Sequence, residues 1–224
     1  MDATATRAMF TAEHHETIQL ARSLSAEQWE LPSLCEGWTT RDVMAHLARH
    51  IHPGGWREGI EVSGKRAEGR ERSYKETTAG LIEALAAPAP SSMKGLASTA
   101  KLNTCELVVH QQDVRGVVGL GRDYPAPTLM MCLAFSTTKF GTFGVTERLR
   151  SRGRGLRLRA TDMSWAFGRG PEVSGPGEAL LMALAGRRVA LRDLTGPGVA
   201  IMADRLGIAD NGAEGVAQVR KMVH

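Results

Sequence analysis

The sequence predicts an α+β protein in which an all-helical N-terminal bundle precedes a small C-terminal domain of mixed helix and strand. Apolar residues recur at helical spacing through most of the N-terminal two thirds of the chain. The period then changes to a strict alternation at residues 156–160 (LRLRA), which is typical of a strand. An arginine- and glycine-rich stretch at 148–155 lies where the pattern changes and indicates a hinge. We therefore predict domains at residues 1–150 and 151–224.

The N-terminal helices are predicted from their caps and breakers as well as from their periodicity. Thr39 and Asp42 form a capping-box pattern that opens one helix. Proline and glycine positions at 53–55, 87–90 and 119–121 end three helices. The predicted helices cover, in chain order, residues 11–24, 39–50, 74–86, 92 (or 96)–118 and 125–150, with a helical turn at 25–29, a loop at 58–72 and a break of the last helix near Gly141 or Gly144.

The C-terminal domain is predicted to contain a hairpin and three helices. The strand at 156–160 is expected to pair with a partner at 163–167, because a short polar turn separates the two. Apolar residues then favour a compact helix at 178–185, which Gly186 ends. The remaining predicted elements are a strand at 189–194 and helices at 199–206 and 214–223.

Composition and charge exclude several classes of protein. The chain has 224 residues, of which 42% are hydrophobic and 23% charged, as in a soluble globular protein. It has no apolar run long enough for a membrane span and no signal pattern at its start. Its three cysteines form no CxxC motif, which favours reduced thiols in the cytoplasm. The arginines at 148–159 could contact nucleic acid, but no aromatic residues are interleaved among them, so we interpret them as a solvated surface.

A candidate metal site comes from two predicted helices. Glu106 and His110 are four residues apart, so they share one helix face, and the residues between them are apolar. His46 lies in an apolar run of the other helix. If these helices pack face to face, they offer two nitrogen ligands and one oxygen ligand. That is the pattern of a catalytic zinc site with an open fourth position. The alternative is a buried Glu106–His110 hydrogen bond without a metal.

Three further residues near these ligands allow two interpretations each, and two cysteines are predicted to pack. His50, one turn beyond His46, is either a substitute ligand or a solvated side chain. Asp113 either orients a ligand histidine or pairs with an arginine. Cys35 precedes the cap at Thr39, where a helix dipole would favour a reactive thiolate, although simple burial is the preferred interpretation. Cys105 is rotated off the ligand face and is predicted to pack, as is Cys132 in its apolar helix.

Two motifs resemble those of a known family. Residues 34–47 (LCEGWTTRDVMAHL) and 103–115 (NTCELVVHQQDVR) resemble the paired signatures of the mycothiol-dependent maleylpyruvate isomerase family, a branch of the DinB-like bundles. The resemblance implies an up-down four-helix DinB-like bundle and a sterol-carrier-like C-terminal domain. The C-terminal positions that carry it are Ala160, Thr161, Asp162, Trp165, Gly168, Gly175, Pro176, Leu184, Ala185, Gly186 and Arg187.

The resemblance also implies a function. It implies a divalent metal on His46, Glu106 and His110, most simply zinc with nickel as the alternative, and mycothiol as the cosubstrate. It implies a catalytic arginine in the C-terminal domain, for which Arg205 is the candidate and Arg187 the alternative. The expected activity is isomerisation of a small electrophile or its conjugation to the thiol, by a monomer or homodimer. The competing hypothesis is a non-catalytic DinB-like protein that binds a ligand or partner.

Overall fold

The computed structural model describes residues 2–51, 77–87, 97–138 and 144–208 of the chain. The helices are α1 (Ala3–Ser23), α2 (Ala26–Trp29), α3 (Thr40–His50), α4 (Thr78–Ala86), α5 (Ala97–Val118), α6 (Ala126–Thr137), α7 (Gly144–Gly153), α8 (Gly177–Leu184) and α9 (Val199–Arg205), with a 3-10 helix at Arg188–Asp193 and strands β1 (Arg157–Ala160), β2 (Ala166–Phe167) and β3 (Glu172–Gly175). No helix in these described ranges is both long enough and apolar enough to span a membrane.

The chain divides by its internal packing into two compact units, Met1–Arg122 and Asp123–His224. The predicted domain boundary after residue 150 differs from this division by two helices. Helix α6 lies in the second unit because it packs against α7 and α8. The assignment of α6 and α7 to the N-terminal domain therefore stays a prediction. The two packing units themselves are a property of the structure.

The first unit has its core between two pairs of helices. Helix α1 packs against α4 and α5, and α3 packs against the same two helices. All residues of α3 except Arg41, His46 and Arg49 are buried, so this short helix lies at the centre of the unit. The core is formed by Phe10, Leu20, Ala21, Trp29, Val43, Met44, Ala45, Leu47, Ala48, Ile51, Leu81, Leu85, Leu107 and Val114.

Helix α3 begins where its capping box predicts. The Thr39 hydroxyl accepts a hydrogen bond from the Asp42 backbone N–H at 3.2 Å. In return the Asp42 carboxylate accepts from the Thr39 backbone N–H at 2.9 Å. Two of the donors that a helix start leaves without partners are thereby satisfied. This cap fixes the start of the helix that carries His46.

A buried polar cluster joins α1 to α5. The Arg122 guanidinium contacts the two Glu13 carboxylate oxygens at 2.6 and 3.1 Å and donates to the Gln111 side-chain oxygen at 2.7 Å. The Gln111 amide in turn donates to Thr17 Oγ1 at 3.1 Å. We call Glu13, Thr17, Gln111 and Arg122 the arginine cluster. Its hydrogen bonds place α5 on α1 and satisfy a carboxylate that is almost fully buried.

The second unit contains a three-stranded sheet with the order β2-β1-β3. β1 is antiparallel to β2 and parallel to β3, with Leu158 opposite both Phe167 and Val173. The predicted hairpin is therefore confirmed. β3 was not predicted, because Val173 is the one β-branched residue in a strand that otherwise consists of Glu172, Ser174 and Gly175.

One prediction for the second unit is wrong. Residues 189–194 were expected to form a strand but lie largely in the 3-10 helix. Leu191 and Leu194 are three residues apart and both buried, which suits a helix of three residues per turn rather than an alternating strand. The helix predicted at 125–150 with a break near Gly141 or Gly144 is two helices: α6 ends at Thr137, where the backbone turns to an extended conformation at Thr138, and α7 begins at Gly144. The predicted loop at 58–72 and helix at 214–223 lie outside the described residues.

Candidate metal centre

The connector before α3 places an aromatic ring over the candidate ligands. Residues 35–38 form a turn in which the Trp38 N–H donates to the Cys35 carbonyl at 3.0 Å. Gly37 occupies the third position of this turn with φ of 78°, a conformation that favours glycine. The Trp38 ring stacks on His110 with centroids 6.2 Å apart and planes 5° from parallel. It also meets the His46 ring edge-on at 5.2 Å.

The connector is attached to α5 as well. The Leu34 N–H donates to the Asp113 carbonyl at 3.1 Å. A Cβ on Gly116 would come within 2.7 Å of a Leu34 methyl carbon, so the missing side chain allows this close approach. The two motifs recognised in the sequence, one around Trp38 and one around Asp113, thus meet along this helix.

The three predicted ligands converge at the contact between α3 and α5. The Nε2 atoms of His46 and His110 each lie 3.4 Å from the same oxygen of Glu106. One ligand atom from each residue lies within 4.8 Å of the other two. We call His46, Glu106 and His110 the histidine cluster. The structure therefore brings together the three residues that the sequence selected.

Asp113 determines how His110 presents its nitrogens. The fully buried Asp113 carboxylate accepts a hydrogen bond from His110 Nδ1 at 2.9 Å. In a neutral imidazole this leaves a lone pair on Nε2, which faces the lone pairs of the Glu106 carboxylate. Two acceptors facing each other are favourable only if a proton or a cation lies between them. Asp113 thus contacts His110 as its orienting interpretation requires, its role toward a metal ligand stays a prediction, and the donor geometry fits a divalent cation.

Burial and neighbouring charges set the protonation of the cluster. Burial is the largest influence on His46 and lowers its pKa to about 4, although the Glu106 hydrogen bond opposes this. Burial alone would raise the pKa of Glu106, but hydrogen bonds from His110 and His46 hold it well below its usual value. For His110, burial lowers the pKa, and its bonds to Asp113 and Glu106 reverse that and raise it. Glu106 therefore stays ionised as a ligand oxygen.

The cluster is largely buried, and its carboxylate keeps the largest exposed fraction. Side-chain exposure is 11% for His46, 10% for His110 and 19% for Glu106. Two neutral imidazole nitrogens and one carboxylate oxygen are the ligand types of catalytic zinc sites. Burial strengthens electrostatic interactions with a bound cation. The remaining exposure of Glu106 leaves access from solvent.

The neighbouring residues fall into clearer roles than the sequence allowed. His50 is 7% exposed, so its solvated interpretation is wrong. Cys35 is half-buried and forms a second close group with His110 and Asp113. Cys105 and Cys132 are buried, as predicted for packing residues. No role was predicted for Trp38, although its place after a turn glycine in the first of the two motifs is a signal that could have indicated one.

The predicted catalytic arginine lies in the second unit. Arg205 is exposed at the end of α9, and its Nη1 donates to the Arg152 carbonyl at 2.7 Å. The alternative, Arg187, donates from its Nη1 to the Ala185 carbonyl at 2.7 Å. Neither arginine's role is tested by its position, so both stay predictions.

The N-terminal part of the chain matches a known domain. Residues 10–115 match the family model described as the mycothiol maleylpyruvate isomerase N-terminal domain. The match includes the histidine cluster and both sequence motifs. The resemblance inferred from the two motifs is confirmed, and no curated protein matches the chain significantly.

Two solved structures have a similar fold. The crystal structure of the mycothiol-dependent maleylpyruvate isomerase aligns with a TM-score of 0.52 at 16% identity, covering 84% of this chain and 90% of that one. The structure of a histidine-to-alanine mutant of that isomerase aligns with a TM-score of 0.54 at 16% identity, covering 88% of this chain and 93% of the other. At this identity the likeness shows a shared fold.

Proposed function

We propose that this chain is a metal-dependent enzyme that uses mycothiol to isomerise a small electrophilic substrate or to conjugate it. The observation that carries the proposal is the convergence of His46, Glu106 and His110 on one point, with Asp113 fixing the ring of His110. The domain match supports a thiol-dependent isomerase activity. With this we propose an up-down, DinB-like four-helix bundle in the N-terminal domain and a sterol-carrier-like C-terminal domain, in a cytoplasmic monomer or homodimer.

The three ligands would hold zinc, or nickel as the alternative. When bound, such a cation supplies a positive charge that lowers the pKa of a coordinated thiol and so makes it a nucleophile at neutral pH. Glu106 supplies the anionic ligand, and His46 supplies a nitrogen that burial keeps neutral. Asp113 holds the Nδ1 proton of His110, which leaves Nε2 for the cation. Trp38 covers both histidine rings and excludes water from one side.

Isomerisation and conjugation share their first chemical step. The thiolate sulfur adds to a carbon of a conjugated double bond, which becomes a single bond about which the substrate rotates. Elimination of the thiolate restores the double bond in the other geometry and returns the thiol unchanged. In the transferase variant the carbanion takes a proton instead, and the thioether is the product. We propose that Arg205, or Arg187 in its place, binds a substrate carboxylate through two parallel hydrogen bonds.

Metal analysis of the untagged protein is the first test. We expect one divalent ion per chain, lost in His46→Ala and His110→Ala and retained in His15→Ala, which removes an exposed histidine of α1. Failure of the wild-type chain to bind zinc or nickel when either is supplied would overturn the proposal and favour the non-catalytic alternative. Mass spectrometry of the metal-loaded protein with mycothiol and maleylpyruvate then separates the activities. An isomerised product without thioether indicates an isomerase, and an accumulating thioether indicates a transferase.

A further inference from the structure

His50 is a buried histidine beside the histidine cluster that has no assigned role. It is the last residue of α3, one turn beyond His46. The two rings stack with centroids 5.4 Å apart and planes 26° from parallel. Although His50 is 7% exposed, neither Nδ1 nor Nε2 has a hydrogen-bond partner within the part of the chain that the structure describes.

Leaving a buried polar group without a partner destabilises the folded state. An apolar side chain of similar size, such as phenylalanine, could stack on His46 without that cost. Within the described residues the two ring nitrogens of His50 therefore contribute no hydrogen bond to the folded structure. Buried polar atoms of this kind are expected where a ligand supplies the missing hydrogen bond.

His50 lies beside the candidate metal site, outside the close groups of ligand atoms that the described residues form. Among the described residues, the close groups of ligand atoms contain His46, Glu106, His110, Cys35 and Asp113, and His50 is in none of them. It is nevertheless close enough to contribute to the lowered pKa of Glu106. A molecule with one atom at the open coordination position would therefore have its neighbouring atoms close to His50.

We propose that His50 is a positioning residue that hydrogen-bonds an amide group of the thiol cosubstrate. The inference rests on the proposed function, because it takes the thiol sulfur as the atom at the open position. In a thiol derived from cysteine, the amide N–H and C=O groups are attached one carbon beyond the carbon that bears the sulfur. A neutral imidazole donates from one nitrogen and accepts at the other, so it can pair with either amide group.

The proposal specifies the class of thiol. His50 selects thiols that carry amide groups next to the cysteine carbon, and it contributes nothing to the binding of a simple alkanethiol. A hydrogen bond of this kind contributes about 0.5–1.5 kcal/mol, which corresponds to about twofold to tenfold in dissociation constant. Because the effect depends on a group of the ligand, it can be separated from any structural effect of the residue.

The test is a cycle of two thiols and three variants of the full-length, cobalt-loaded protein. Visible absorbance of the cobalt ion reports sulfur binding directly, without catalysis. N-acetylcysteinamide is the amide-bearing probe and propanethiol is the probe without polar groups. The variants are wild type, His50→Phe, which keeps an aromatic ring against His46, and His50→Gln, which keeps a donor and an acceptor. His15→Phe is the matched control, because His15 is exposed on α1.

We expect wild type and His15→Phe to prefer N-acetylcysteinamide over propanethiol by about twofold to tenfold. His50→Phe should lose this preference with unchanged affinity for propanethiol, and His50→Gln should retain part of it. An equal preference in wild type and His50→Phe would overturn the inference and leave the proposed function intact. Loss of cobalt in both His50 variants would overturn it too, because His50 would then be a ligand. Absence of thiol binding to cobalt-loaded wild type would overturn the proposed function itself.

Discussion

Helix α5 takes part in two buried polar clusters, and they differ in how their hydrogen bonds are satisfied. In the arginine cluster, Arg122 binds both oxygens of Glu13 and the oxygen of Gln111 at distances between 2.6 and 3.1 Å. In the histidine cluster, the Nε2 atoms of His46 and His110 stand 3.4 Å from a single Glu106 oxygen. The first set of distances is that of direct, charge-assisted hydrogen bonds, and the second is longer than such bonds usually are.

The difference separates a structural cluster from a binding site. The arginine cluster has a positive charge for its negative one and leaves no role for a further ion. The histidine cluster collects one carboxylate and two imidazoles around a point that none of them fills, and His50 beside it has two nitrogens without described partners. A polar network that is incomplete by itself is expected at a functional site, where a ligand completes it. The predictions below change a residue of one cluster, a residue that supports it, or the pH, and they measure the free energy of unfolding or the binding of zinc.

The largest predicted effect is a loss of unfolding free energy in Arg122→Met. This substitution keeps much of the side-chain volume but leaves the buried Glu13 carboxylate without its charge partner. Breaking a buried ion pair in this way costs about 3–5 kcal/mol of unfolding free energy. Urea denaturation of metal-free protein measures the loss. Arg7→Met, at an exposed position of α1, should change stability by less than about 0.5 kcal/mol.

The same variant should leave metal binding alone. Zinc stoichiometry of Arg122→Met under native conditions is expected to equal that of the wild type, because Arg122 binds Glu13 and Gln111, which are not predicted metal ligands. A loss of zinc without a loss of stability would contradict the division between the two clusters.

The second effect is expected from Asp113→Asn, which changes the residue that holds His110. The amide can present its oxygen to Nδ1, but it removes the negative charge that strengthens this bond. Residues that support a ligand histidine in this way typically contribute about 10–100-fold to metal affinity. Competition with a zinc-binding dye measures the change. Asp2→Asn, which makes the same chemical change at the exposed cap of α1, should bind zinc as the wild type does.

Acidification should release the metal, and the pH dependence should show which ligand histidine is protonated first. Only an unprotonated imidazole nitrogen binds a cation. His110, whose pKa is raised, is protonated first as the pH falls, and His46 follows only near its pKa of about 4. Between these two pKa values the apparent affinity should fall about tenfold per pH unit, because one proton competes with the metal.

Zinc titrations between pH 5 and 8 with the same dye, corrected for its own protonation, check this slope. In Asp113→Asn the fall should begin at a lower pH, because the bond that raises the pKa of His110 is weakened. A slope of two protons throughout the range would show that His46 and His110 titrate together, against the burial of His46.

The sequence predicts the parts of this molecule whose signals are local. The capping box of Thr39 and the shared helix face of Glu106 and His110 each depend on residues within one turn, and both are found in the structure. The position of His46 opposite that face needed one further assumption, that two apolar helix faces pack together.

The remaining features depend on contacts between distant residues. β3 has little strand propensity and forms because β1 offers it a partner in parallel register. The 3-10 helix that replaces the predicted strand follows from the burial of Leu191 and Leu194 together. His50 is equally ambiguous in sequence, because an imidazole at the end of a helix is compatible with both solvent and core. Its burial is known only once the neighbouring helices are placed.

The smallest effect is expected from Thr39→Ala, which tests whether the histidine cluster depends on the stability of the helix that carries it. The substitution removes the hydroxyl that caps α3 and should cost about 1 kcal/mol of unfolding free energy. Thr39→Ser keeps the hydroxyl and should retain most of that stability. His46 lies nearly two turns further along a helix most of whose residues are buried. Zinc affinity should therefore change by less than twofold in both variants. If Thr39→Ala lost zinc as strongly as Asp113→Asn, the site would depend on the helix start rather than on the residues that contact the ligands, and the contrast between the two clusters would not hold.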